Sequence, residues 1–202
     1  MSASTTLPFQ TAAEALPRKR FTREEVERLL DTDFFTGQRL ELIDGDLIDK
    51  MGQKPRHAFA IRLITRWLAS VFPVEQIQIQ LPIEAAGEDR ERSVPEPDIA
   101  VLSQWKDDFR SRHPRGDELL LVVEVSDTSA SFDLSRKAAL YARAGVPEYW
   151  VLDLVRRVLV VHRMPDGLSA YRLIQLLAEA DSVSMNGRAE NVRVGEILPE
   201  TS

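Results

Sequence analysis

The sequence predicts a mixed α/β fold in which helices flank a mixed central β-sheet. Three observations carry the mixed α/β class. Leu119–Val125 (LLLVVEV) is apolar on both alternating faces, as in a strand covered on both sides. A helical segment separates it from a second strand, Tyr149–Leu154, and a strand–helix–strand unit of this length joins parallel neighbours. Asp44-Gly45, set between two extended runs, is a two-residue hairpin signal.

Residues 1–20 are small, polar and punctuated by proline, and are expected to form a flexible arm before one domain over 21–202. A helix is expected over Phe21–Leu30, where Thr22 and Glu25 have capping-box spacing. Arg39–Ile43 and Asp46–Lys50 should pair across the Asp44-Gly45 turn. Residues 56–72 carry a helical stripe of His57, Ile61, Ile64, Leu68 and Val71. In VEQIQIQLPIE, the alternation of Ile77, Ile79, Leu81 and Ile83 predicts one half-buried strand. A polar loop, Gly87–Arg92, then leads through two prolines to a strand at Ile99–Leu102. Lys106–Gly116 reads as loop with a short helix. The helix after Leu119–Val125 is expected to start near Asp133 and to stop at Gly145-Val146-Pro147. Val158–Arg163 and Tyr171–Leu176 are further strands, and the last twenty residues are weakly patterned.

The composition narrows the function. With 202 residues and 44% hydrophobic content, the chain can bury a sizeable core. It has no cysteine, which excludes disulfides, thiolate metal sites and cysteine nucleophiles. No apolar run reaches the roughly 20 residues of a membrane span, and the N-terminus does not look like a secretory signal; no membrane partner and a cytoplasmic location are expected. The net charge of -6 argues against non-specific coating of nucleic acid, but leaves room for an acidic site working through bound cations. No GxSxG element and no glycine-rich phosphate loop is present. The three histidines lack metal-pair spacing, which argues against zinc chemistry.

Four residues stand out. Glu124 ends an otherwise apolar strand; it either solvates at the strand exit or sits at the edge of a low-dielectric region and needs a partner or a cation. Asp98, in VPEPDIAVL, starts another apolar strand; it either caps that turn or converges with Glu124, and paired carboxylates suit a hard cation such as Mg²⁺. Lys137 shares a helical stripe with Leu134, Ala138 and Tyr141, so it either snorkels or reaches the Glu124 carboxylate. Glu41 shares a hairpin face with Ile43 and Ile48 and otherwise reads as a rim carboxylate. His57 reads as a capping or packing residue.

Taken together, Glu41, Pro97-Asp98, Glu124 and Lys137 resemble the PD-(D/E)xK nuclease superfamily. More closely, RLELIDGDLI, PRHA, VPEPDIAVL, LLLVVEVSDTS and KAALYARAGVPEYWVLD resemble a bacterial family of restriction-endonuclease-like proteins once described only as a domain of unknown function. The superfamily's lysine would stand two residues after Glu124, where this chain has Ser126, so Lys137 takes that role. The resemblance implies a restriction-endonuclease-like core and an endonuclease that hydrolyses phosphodiester bonds of DNA. It implies Mg²⁺ or Mn²⁺ held by Asp98, Glu124 and the Val125 carbonyl, with Lys137 and Glu41 as further catalytic groups. Substrate contacts would come from Lys54, Arg56, Arg62, Lys106, Arg110, Arg112 and Arg115. A homodimer would suit double-strand cleavage. A nuclease-fold scaffold that binds without turnover is the competing reading.

Overall fold

The computed structural model describes residues 18–50 and 54–200. Most of the expected arm therefore lies outside the described residues. Helix α1 (Arg23–Leu30) opens with the expected capping box between Thr22 and Glu25. A hairpin follows, β1 (Leu40–Ile43) and β2 (Asp46–Asp49), paired with Glu41 opposite Ile48. Its turn residues Asp44 and Gly45 both have positive φ, 49° and 81°, as a tight two-residue hairpin turn requires. Helix α2 (Pro55–Val71) has proline in its first turn, where no N–H is needed.

The main sheet has six strands in the order β3-β4-β5-β6-β7-β8. They are β3 (Ile77–Ile79), β4 (Ile99–Leu102), β5 (Leu119–Ser126), β6 (Glu148–Asp153), β7 (Val158–Pro165) and β8 (Tyr171–Ala178). As predicted, β5 lies inside the sheet, antiparallel to β4 and parallel to β6. The crossover between β5 and β6 is α3 (Ala130–Phe132), a π-helical turn over Asp133–Lys137, and α4 (Ala138–Arg143). It begins three residues before the expected start.

Alternation along β5 splits the core in two. Leu121, Val123 and Val125 meet Ile61, Ile64 and Leu68 of α2 on one face. Leu119 and Val122 meet Ala138, Tyr141 and Ala142 of α4 on the other. Gly116 supports that second layer from below. A Cβ there would lie 2.2 Å from the carbonyl oxygen of Ala144, so only glycine permits the approach. The hairpin docks separately, with Ile43 against Leu140 and Ala85.

Two expectations change. The strand expected to run through Ile83 stops at Ile79, because Gln80 adopts a left-handed backbone with φ 53°. The alternation ends there: Ile79 and Leu81 are exposed while Ile83 is buried. The weakly patterned C-terminus folds into β9 (Ser182–Ser184), β10 (Asn191–Arg193) and α5 (Val194–Ile197), whose Val183, Val192 and Ile197 join the α2 side of the core. Elements this short carry too few residues for a periodicity to show.

Candidate active site

The site forms where β4 begins and β5 ends. The register pairs Ile99 with Val123; continued by one step it sets Asp98 opposite Glu124, and by two it sets Pro97 opposite Val125. Cross-strand neighbours of this kind have Cβ atoms about 5 Å apart, so strand pairing alone brings the two carboxylates together. Pro97 has no N–H to give to the Val125 carbonyl. The Val125 N–H instead donates to Asp98 Oδ2 at 2.9 Å.

Lys137 comes from above, on the crossover helix. Its ammonium lies 2.9 Å from Glu124 Oε1 and 2.8 Å from Glu41 Oε1, and all three residues are buried. Glu41 is thus a wall of the site and not a rim residue, because docking of Ile43 on α4 turns the β1 face inward. Tyr141 donates to the same Glu124 oxygen at 2.8 Å. Glu124 Oε2 makes no hydrogen bond among the described residues. Glu41, Glu124 and Lys137 line a cleft of about 190 Å³ together with Lys54, His57, Asp98, Val125 and Asp133.

Electrostatics separate the two central carboxylates. Burial pushes Glu124 up to about 8, opposed by Lys137 and reinforced by the charges of Asp98 and Asp133. Burial also acts upward on Asp98, but it is outweighed by the His57 hydrogen bond and charge, by Lys50 and by the Val125 N–H, so its carboxyl lies below the usual range. Burial disfavours a charged Lys137, yet the carboxylates of Glu124 and Glu41 raise its pKa above the ordinary lysine value. Burial works against a charged His57 too; Asp98 reverses that, and its pKa is raised.

Several site residues escaped the sequence reading. His57 is not a packing residue: its Nε2 lies 3.1 Å from Asp98 Oδ2, and the only sequence signal was a lone histidine heading an Ile/Leu stripe. Gln80 donates to Asp98 Oδ1 at 3.3 Å from the residue that breaks β3. Asp133 is buried and accepts from Ser126 and Ser129, both at 2.6 Å. For Asp133 the available signal was its four-residue spacing from Lys137, which a helix brings to one face.

The basic residues divide. Lys54 pairs with Asp127 at 2.9 Å on the cleft rim, and Arg56 donates to the Leu154 carbonyl at 3.4 Å. Arg62 is exposed on α2. Lys106, Arg112 and Arg115 instead surround Glu118 at the opposite end of β5, and Arg110 pairs with Asp107. Six residues of strand separate Glu118 from Glu124, about 20 Å, so that cluster serves a buried carboxylate and not the cleft.

The donors fit a hard cation. They are two carboxylates and a carbonyl, all oxygen, and one carboxylate oxygen is free of hydrogen bonds. Among the described residues no group of three or more His, Asp or Glu side chains is placed to hold a metal ion, so at most two carboxylates would ligate one. An open site of this kind leaves positions for water, as Mg²⁺ prefers.

The sequence profile of the Uma2 family, described as "Putative restriction endonuclease", matches residues 23–192. The chain belongs to the Uma2 family. The match spans the hairpin, the site and both β5–β6 strands, so the geometry above is that of an Uma2 core. A search of curated protein sequences finds no match. Among solved structures, this Uma2 chain is similar to one described as a "putative nuclease belonging to DUF820" from Anabaena variabilis ATCC 29413. The TM-score is 0.64 at 14% identity, covering 88% of this chain and 97% of that one. At that identity the likeness shows the fold, a mixed sheet flanked by helices. Among the described residues no helix is long and apolar enough to cross a membrane.

Proposed function

We propose that this chain is a metal-dependent endonuclease that hydrolyses phosphodiester bonds of DNA, acting in the cytoplasm. One observation carries the reading: an ammonium fixed between two buried carboxylates, Glu124 and Glu41, beside a third at Asp98, in a cleft that opens to the surface. Family membership supports a nuclease, and the oxygen donors support a divalent cation.

Asp98, Glu124 and the Val125 carbonyl would hold Mg²⁺ or Mn²⁺, which would supply acidity to a water and offset charge on the scissile phosphate. The chain's own groups do the rest. The Val125 N–H and His57 orient the Asp98 carboxylate. Tyr141 and Lys137 fix one oxygen of Glu124, leaving the other to face the cleft. Lys137 stays protonated and presents positive charge where the phosphate gains negative charge. Glu41 holds Lys137 in place and accepts from the Glu96 N–H at 3.3 Å. Lys54, which lines the cleft, would meet a backbone phosphate as it approaches.

The test compares supercoiled plasmid, single-stranded DNA and RNA, each with Mg²⁺, with Mn²⁺ and with EDTA. Plasmid cutting that EDTA stops, and that Asp98→Asn and Glu124→Gln both lose, is the expected result. Cutting that survives either substitution would remove this site from the reaction. DNA binding with no cutting under any condition would identify a scaffold without turnover.

A further inference from the structure

Among the described residues four besides glycine have positive φ: Asp44, Gln80, Arg157 and Met164. Asp44 and Arg157 belong to the β1–β2 and β6–β7 turns, and Met164 borders the β7–β8 turn. Gln80 closes no hairpin turn, since a long loop follows it before β4. A left-handed glutamine is strained, and such strain persists only where the surroundings impose it. Those surroundings are Asp98 and Arg39. The Gln80 backbone N–H donates to the Asp98 carbonyl at 3.1 Å, and its side-chain Nε2 donates to Asp98 Oδ1 at 3.3 Å. Its Oε1 accepts from Arg39 Nη1, also at 3.3 Å. Chemistry fixes the direction of this amide, because a guanidinium only donates and a carboxylate only accepts.

We propose, on the reading that Asp98 is a metal ligand, that Gln80 is its positioning residue: the amide takes one acceptor site of Oδ1, holds Arg39 away from that oxygen and so leaves the remaining site for a divalent cation. The two oxygens of Asp98 differ in what they have to spare. Oδ2 accepts from the Val125 N–H at 2.9 Å and from His57 Nε2 at 3.1 Å, which fills it. Oδ1 accepts only from Gln80 among the described residues. Arg39 lines the cleft, pairs with Glu96 and has a side chain 44% exposed, so its guanidinium has room to follow a carboxylate that comes within reach. In direct contact with Oδ1 it would take the site a cation needs, and the amide between them prevents that contact. Groups that orient a metal ligand typically alter metal affinity about 10–100-fold without touching the metal.

The test titrates the full chain with Mn²⁺ alone by calorimetry and records its melting temperature in EDTA. Gln80→Gly relieves the left-handed strain and removes the amide; Gln80→Asn also suits that backbone, but its amide falls one methylene short. Both should melt within about 4 °C of wild type in EDTA and bind Mn²⁺ about 10–100-fold more weakly. A residue that served folding alone would move the melting temperature and leave the affinity. Arg39→Met should tighten Mn²⁺ binding more in the Gln80→Gly background than in wild type, since only there can the guanidinium reach Asp98. Wild-type Mn²⁺ affinity in both Gln80 variants, with Asp98→Ala losing it, would overturn the role of Gln80 and leave the metal site standing. An equal gain from Arg39→Met in both backgrounds would overturn that role too. Mn²⁺ affinity unchanged in Asp98→Ala would overturn the metal site itself, and the role of Gln80 with it.

Discussion

Lys137→Met keeps the buried stem and removes the ammonium that lies within 2.9 Å of both Glu124 and Glu41. The metal-free cluster then lacks one positive charge, and the cheapest replacement is one proton. An ordinary carboxyl has a pKa of about 4.3, so holding it protonated in the folded state at pH 7 costs about 3.7 kcal/mol. At pH 5 the same proton costs about 1 kcal/mol. The sign is fixed by linkage: the variant's folded state binds one proton more than the wild type's, beyond the one that Glu124 already holds in both, so its deficit is absent below the unfolded pKa and grows as pH rises. Urea unfolding of both proteins in EDTA at pH 5 and pH 7 measures it. The expected difference is up to about 4 kcal/mol at pH 7 and near 1 kcal/mol at pH 5. A deficit equal at both pH values would mean lost packing and not lost charge, and would refute the reasoning. With metal and plasmid, the same variant should cut at least about 100-fold more slowly, the usual effect of removing one charge-stabilising donor. Wild-type rates would end Lys137's role in the reaction.

Because burial raises Glu124 to about 8, wild type should lose stability relative to Glu124→Gln as pH rises from about 5 to 8 in EDTA; parallel curves would show that Glu124 is not held protonated. Mg²⁺ or Mn²⁺ should raise the wild-type melting temperature by mass action, and Asp98→Ala should abolish the rise; an equal rise in the variant would place the metal elsewhere. Gly116→Ala should destabilise by about 3 kcal/mol or more in thermal unfolding, since its Cβ would strike the Ala144 carbonyl at 2.2 Å; a near-neutral result would mean that β5 and α4 can separate.

Much of the frame was legible in the chain. The unbroken apolar run of Leu119–Val125 announced an interior strand, and a crossover of that length announced its parallel neighbour. The helical stripe placed Lys137 toward the sheet, where it is buried. Asp98 and Glu124 were readable as strand-end carboxylates, and the tertiary fold makes them cross-strand neighbours. What stayed hidden depends on contacts between distant segments. Gln80 broke an alternation that local pattern favoured, because its side chain reaches Asp98. His57 read as packing because nothing in its own helix reveals the carboxylate it meets.

The sequence by itself determined the α/β class, the interior position of β5, the hairpin turn and the residue types of the site, since periodicity and turn chemistry act over a few neighbours. Only the tertiary structure decided which face of the hairpin is buried, and so that Glu41 shares Lys137 with Glu124. It alone showed that Lys106, Arg112 and Arg115 are spent on Glu118, about 20 Å along β5 from the cleft. Charge has no periodicity: whether a carboxylate finds solvent, a lysine or a cation depends on how separate elements pack, and that is settled only when the chain closes on itself.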